Sequence, residues 1–176
     1  MRKILLLFTI SLLLVGCSSK GTDTEDNNNS VLSDNMIEKI QETMETGDYT
    51  SPDNIFDYEV KGKYIFVLTH TLQKGIEITT FENDSNELKF VNTSKTSEAT
   101  LISPTKNDGP YIIAIQPKDS DVKDVKAFGK KTKLVEFSKE YTGNFKDEIK
   151  CWIFIDNDIG KSPEKYNENE DIEYIK

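Results

Sequence analysis

Few residues of this chain have types and spacings that could do chemistry. There is one histidine, His70, in the stretch Thr69-His70-Thr71, and there are two cysteines, Cys17 and Cys151. Zinc sites draw several ligands from Cys and His, so this inventory excludes most zinc arrangements. A nucleophilic triad would need His70 as its base, yet no G-x-S-x-G elbow or similar glycine-framed serine is present. His70 therefore reads as a sheet-face histidine hydrogen-bonded to a neighbour. Cys151 lies in the apolar run CWIFI next to Trp152, where burial raises a thiol pKa and leaves a small hydrophobe. The run DNDIG, Asp156 to Gly160, begins like a calcium loop, but such a loop wants glycine at its sixth position and glutamate at its twelfth. Here these are Lys161 and Asn167, and a solvated turn is expected. Asp119 to Asp121 is flanked by Lys118 and Lys123 and follows Pro117. The nine glycines are scattered singly, so no phosphate-cradling loop is expected. The expectation is no catalytic residue, no metal, no cofactor, and a protein that is not an enzyme.

The other cysteine closes a different kind of segment. Arg2 and Lys3 precede an apolar run from Ile4 to Val15, and as a helix that run reaches roughly 18 Å, short of a hydrocarbon core about 30 Å thick. A secretory signal is favoured over a permanent span. Leu14, Val15, Gly16 and Cys17 resemble the lipobox of bacterial lipoproteins. The resemblance implies cleavage between Gly16 and Cys17, diacylglycerol on the Cys17 thiol, and a cell-membrane location on the extracytoplasmic face. Two acyl chains suffice for stable anchoring. Loss of Met1 to Gly16 would leave 20 basic and 31 acidic residues, moving the formal net charge from −9 to −11. An acidic body argues against nucleic acid as a partner, because phosphate binding needs clustered Lys and Arg. It favours cationic partners or divalent ions. The longest basic cluster, Lys130, Lys131 and Lys133, reads as a solvated hairpin face.

Residues 17–30 lack aliphatic and aromatic side chains after Cys17 and read as a disordered tether. A single β-rich domain is expected over residues 31–176, long enough to bury a core without disulfides or metals. Its first element is a helix capped by Asn35, with Glu38 three residues on, a stripe of Met36, Ile37, Ile40 and Met44, and Gly47 as the stop. The period then changes to two. Lys63 to Leu72 and the run from Ile76 form a hairpin about Gln73 to Gly75, and a second turn at Asn83 to Asn86 leads into ELKFVN, giving a meander of at least three strands. The polar stretch Thr93 to Thr100 is expected to separate the two halves. Tyr111 to Ile115, a segment through Val122, Val125 and Ala127 to Gly129, and KTKLVEF follow. CWIFI should be a central strand, with Cys151, Ile153 and Ile155 facing one way and Trp152 and Phe154 the other. Ile172, Tyr174 and Ile175 suit a short edge strand. The expected fold is mainly β (α+β): one N-terminal helix packed on an antiparallel sheet, in a sandwich or open barrel of about 7–8 short strands. Pro110 to Asp156 resembles small β-rich lipoproteins of low-GC Gram-positive bacteria, which implies a sheet-forming module and carries over no substrate.

These features suggest a non-catalytic binding module at the cell envelope, taking an envelope protein or wall component. One alternative is a small-ligand carrier with a pocket lined by Tyr64, Phe66, Phe90 and Trp152. Another is an envelope hydrolase, which would require two or more carboxylates converging in a cleft.

Overall fold

A computed structural model describes residues 32–176 except 48, 72–74, 86, 97–98, 106–108 and 142–144. The signal segment, Gly16, Cys17 and the tether lie outside the described residues. No helix among the described residues is long and apolar enough to cross a membrane.

The first element, α1 (Asp34–Thr46), buries Met36, Ile40 and Met44, a spacing that puts all three on one face and contributes about 1.5–3 kcal/mol for each fully buried side chain. Its cap is Ser33, two residues before the expected Asn35: the Ser33 hydroxyl accepts from the Met36 amide at 3.3 Å. Gly47 ends the helix, donating to the Thr43 carbonyl at 3.1 Å. Its φ is −93°, so left-handed freedom is not the reason for glycine. A Cβ there would run into the Tyr49 ring, and glycine lets that ring lie against the helix end.

Four strands follow as a meander: β1 (Ile55–Lys61), β2 (Tyr64–His70), β3 (Ile76–Asp84) and β4 (Glu87–Thr96) pair in sequence order, all antiparallel. Two expectations are corrected here. The meander gains β1 ahead of Lys63, and Thr93 to Thr96 belong to β4 instead of separating the halves. The remaining strands are β5 (Tyr111–Ile115), β6 (Asp124–Ala127), β7 (Lys130–Lys131), β8 (Lys133–Tyr141), β9 (Phe145–Asp156) and, after the one-turn helix α2 (Glu168–Asp171), β10 (Ile172–Ile175). They form two three-stranded sheets of order β5-β9-β8 and β10-β6-β7. Phe128 and Gly129 take positive φ at the β6–β7 turn, 51° and 72°, the signature of a tight hairpin turn. The described residues thus hold ten strands in three open sheets instead of 7–8, and no sheet closes into a barrel.

Three clusters of buried side chains hold these layers together. On the outer face of the meander, Met36, Ile40 and Met44 pack on Ile65, Val67 and Phe81. On its other face, Phe66, Leu68, Ile76 and Ile78 pack against Ile112, Ala114, Ile149, Cys151 and Ile153. The far side of β5 and β9 contributes Ile113, Ile115, Trp152 and Phe154 to a third cluster with Val125, Ala127 and Ile172. Strand β9 is therefore central in its sheet and apolar on both faces from Cys151 onward, as its alternation indicates.

Candidate functional site

The outer face of the meander carries a groove beside α1. Register places Glu77 opposite Lys95, Thr79 opposite Thr93 and Phe81 opposite Phe90. A bulge at this point sets Phe81 against Phe90 while Thr80 meets Asn92, so Val91 is the extra residue. Strict alternation would put Phe90 and Thr93 on opposite faces, and the bulge brings them to one. The chain leaving α1 then lays Tyr49 over this face, its ring centroid 5.0 Å from Phe90 and 6.4 Å from Phe81. The hollow so formed holds about 390 Å³ and is lined by Tyr49, Thr50, Glu77, Phe90, Thr93 and Lys95. Phe90 is 46% exposed, the most exposed of the large hydrophobics among the described residues.

Glu77 forms the polar floor. Although it is only 3% exposed, its carboxylate has just two side-chain partners among the described residues. The Thr50 hydroxyl donates to Oε1 at 2.5 Å, and Lys95 Nζ stands 3.5 Å from Oε2 on a side chain that is 75% exposed. That second contact is long for a charge-assisted hydrogen bond. The groove thus combines an aromatic wall, a buried anion and a loosely held cation.

A second buried glutamate lies on the opposite face. Asp57 and Glu59 alternate on β1, and both meet Lys133 from β8, whose Nζ is 2.8 Å from Asp57 Oδ2 and 2.7 Å from Glu59 Oε1. Burial pushes the Glu59 carboxyl above the usual range, an effect only partly offset by Lys133. Burial works against the charged form of Lys133 too, but the Asp57 and Glu59 carboxylates outweigh it and hold the ammonium above its usual pKa. Lys133 is thus a clamp between two sheets, which corrects its expected place on a solvated hairpin face. Two carboxylates do converge here, with a lysine held between them. The same face of β8 repeats the device further along, where Lys139 Nζ donates to the Asp53 carbonyl and to Asn54 Oδ1 at 3.1 and 2.7 Å.

His70 is buried, and its partner is Asp147 on β9: Nε2 is 3.2 Å from Oδ2. The distance suits an ion pair, but Nε2 has no aligned hydrogen bond among the described residues. Among the described residues no hydroxyl or thiol is hydrogen-bonded to Nε2. The Phe137 ring packs 6.3 Å away. Cys151 is buried in the core between the sheets, and burial pushes its thiol up to about 12.

The acidic turn after β9 satisfies its own carboxylates. Asp156 Oδ1 accepts from the Asn157 and Asp158 amides at 2.7 and 3.3 Å, Asp158 Oδ1 accepts from Gly160 at 2.7 Å, and Lys130 Nζ reaches Asp156 Oδ2 at 2.6 Å. Burial raises the Asp156 pKa, but Lys130 and the turn amides more than compensate and hold it below the ordinary carboxylate range. No group of three or more His, Cys, Asp or Glu among the described residues is placed to hold a metal ion. Beside the turn lies an open hollow of about 660 Å³ lined in part by Tyr111, Asp158, Lys161 and Glu164. Its lysine is bound to Asp171 at 2.6 Å.

The four aromatics expected to line a carrier pocket are not brought together. Tyr64 and Phe66 belong to the core between the two larger sheets, Trp152 to the opposite face of β9, and Phe90 to the outer groove. Of the groove residues, sequence reasoning singled out only Phe90; Tyr49, Glu77 and Lys95 had no local signal. Comparison of the chain with protein-family models, curated proteins and solved structures returns no significant match.

Proposed function

We propose that this protein is a lipid-anchored, non-catalytic binding module on the extracytoplasmic face of the cell membrane. It would be held by diacylglycerol on Cys17 and would take an envelope protein or wall component in the groove formed by β3, β4 and the segment that follows α1. The carrying observation is the groove itself, where an aromatic wall is exposed beside a carboxylate that is almost wholly removed from water. Ligand sites combine apolar walls with a few placed polar groups in this way. The two larger sheets act as a sandwich that holds β3 and β4 rigid. The converging acids at Asp57 and Glu59 are occupied by Lys133, which favours binding over hydrolysis.

Anchoring is tested by Cys17→Ala, which should release the protein from the membrane or leave the precursor uncut; unchanged lipid-dependent attachment would refute it. Binding is tested in intact cells by placing a photo-crosslinking phenylalanine analogue at Phe90 and, separately, at Leu134, which is 44% exposed and outside the groove. A discrete adduct from position 90 and none from 134 is expected. No adduct from 90, or the same adducts from both, would overturn the binding-module function.

A further inference from the structure

We propose that the groove recognises a cationic group, a primary ammonium or guanidinium on a basic peptide segment, and that Lys95 occupies this site in the free protein. This deepens the binding-module function above and presupposes it.

A carboxylate removed from water needs partners that replace its hydration. Glu77 receives one close hydrogen bond, from Thr50, and one distant ammonium, from Lys95. The other buried glutamate, Glu59, shows what a permanent partner looks like in this fold. Lys133 sits 2.7 Å away and is fixed on its other side by Asp57. Lys95 has no such second anchor among its described contacts, and three-quarters of its side chain is in solvent. It can swing out at little cost, since exposed lysines hold their ion pairs weakly.

The walls select the same chemistry. Tyr49 and Phe90 are tilted 39° to each other and 5.0 Å apart, and ring faces attract ammonium and guanidinium groups within about 6 Å. An incoming cation would thus gain Glu77 and two rings, while an anion would meet the carboxylate. The formal net charge of −9 adds long-range attraction of the same sign. Thr93 lines the same hollow, and its hydroxyl, 3.2 Å from that of Thr79, keeps lone-pair capacity to accept from a cation's N–H groups. Strand β4 is an edge of its sheet, so a peptide running alongside would present its side chains at the groove mouth.

The test uses the full chain in detergent micelles and the peptide acetyl-GGKGG-amide, with arginine and norleucine versions at the central position, followed by NMR titration. The lysine and arginine peptides should bind, and norleucine should bind at least about tenfold more weakly, the scale expected when a buried charge contact is lost. Glu77→Gln should weaken the lysine peptide by a similar factor, and added salt should weaken it further. Lys95→Ala removes the competing occupant and should strengthen binding by about threefold or more; Lys95→Glu should strengthen it more. The two Lys95 variants change an exposed side chain and keep the test decisive if Glu77→Gln fails to fold. Equal binding of the norleucine peptide, or weaker binding on Lys95→Ala, would overturn the proposal. Adducts from position 90 combined with that result would sink only the cation chemistry. Peptide binding as expected without adducts from position 90 would sink the cellular binding function and leave the chemistry standing.

Discussion

Glu59 and Glu77 are two nearly inaccessible glutamates in one four-stranded sheet, each facing a lysine, and they differ in what the lysine does. Lys133 bridges two carboxylates at 2.7 and 2.8 Å and joins two sheets. Lys95 reaches one carboxylate at 3.5 Å from the neighbouring strand of the same sheet. The first arrangement is over-determined, because moving the lysine would strand two partly buried charges. The second can exchange its cation without disturbing a layer. Similar residue types thus give a structural clamp on one face and a replaceable partner on the other, and the surrounding geometry makes the difference.

The clamp should yield the largest effect. Lys133→Ala leaves Asp57 and Glu59 facing each other without a cation. Breaking a buried pair costs roughly 3–5 kcal/mol, and the 45% exposure of the Lys133 side chain puts the expected loss at the low end. Chemical denaturation would read this as a shift in midpoint, and a loss below about 1 kcal/mol would remove the clamp from the account.

A smaller effect separates burial from pairing at Glu59. Its folded pKa lies above the unfolded value because burial outweighs Lys133. Its contribution to stability is therefore complete below the unfolded pKa and is lost as pH rises through the folded one. Glu59→Gln lacks this dependence, so the variant should gain stability relative to the parent between pH 4 and pH 7. A relative loss over that interval would mean that the Lys133 pair dominates.

Two changes at the groove should be milder still. Gly47→Ala suits the extended backbone at this position and should alter stability by less than about 1 kcal/mol. The new Cβ nevertheless takes the space of the Tyr49 ring, so the NOE contacts between Tyr49 and Phe90 should weaken and cation binding should fall. Retained ring contacts would show that Tyr49 needs no glycine beneath it. Lys95→Ala should change the denaturation midpoint least, by no more than about 0.5 kcal/mol, as expected for an exposed lysine at a long contact. A cost comparable to that of Lys133→Ala would make the two lysines equivalent.

The parts of the fold legible in sequence are those with a local period. The apolar face of α1, the β2–β3 hairpin, the doubly apolar end of β9 and the short β10 all announce themselves through spacing of 3.6 or 2. Strand β1 alternates too, Tyr58 and Val60 against Asp57, Glu59 and Lys61, but the acids take its inward positions, and Lys133, far along the chain, is what makes inward acids tolerable. The site depends on similar long-range facts. The bulge at Val91 reverses the face that alternation assigns, Gly47 serves a ring two residues on, and Thr50 reaches Glu77 from another element. His70 is visible as a lone titratable group, while its partner Asp147 lies on β9, in another sheet and 77 residues further along the chain. Turn chemistry at DNDIG was legible because its hydrogen bonds stay within three residues, apart from the Lys130 bridge.

The contrast between the two lysines is tested most directly by NMR of the full chain labelled with ¹³C-lysine, titrated with acetyl-GGKGG-amide. The Lys95 Cε resonance should move toward that of a free lysine as the peptide displaces it, while the Lys133 resonance stays fixed. A Lys95 signal unmoved at saturating peptide, or a Lys133 signal that moves with it, would contradict the assignment of one lysine to the architecture and the other to the site.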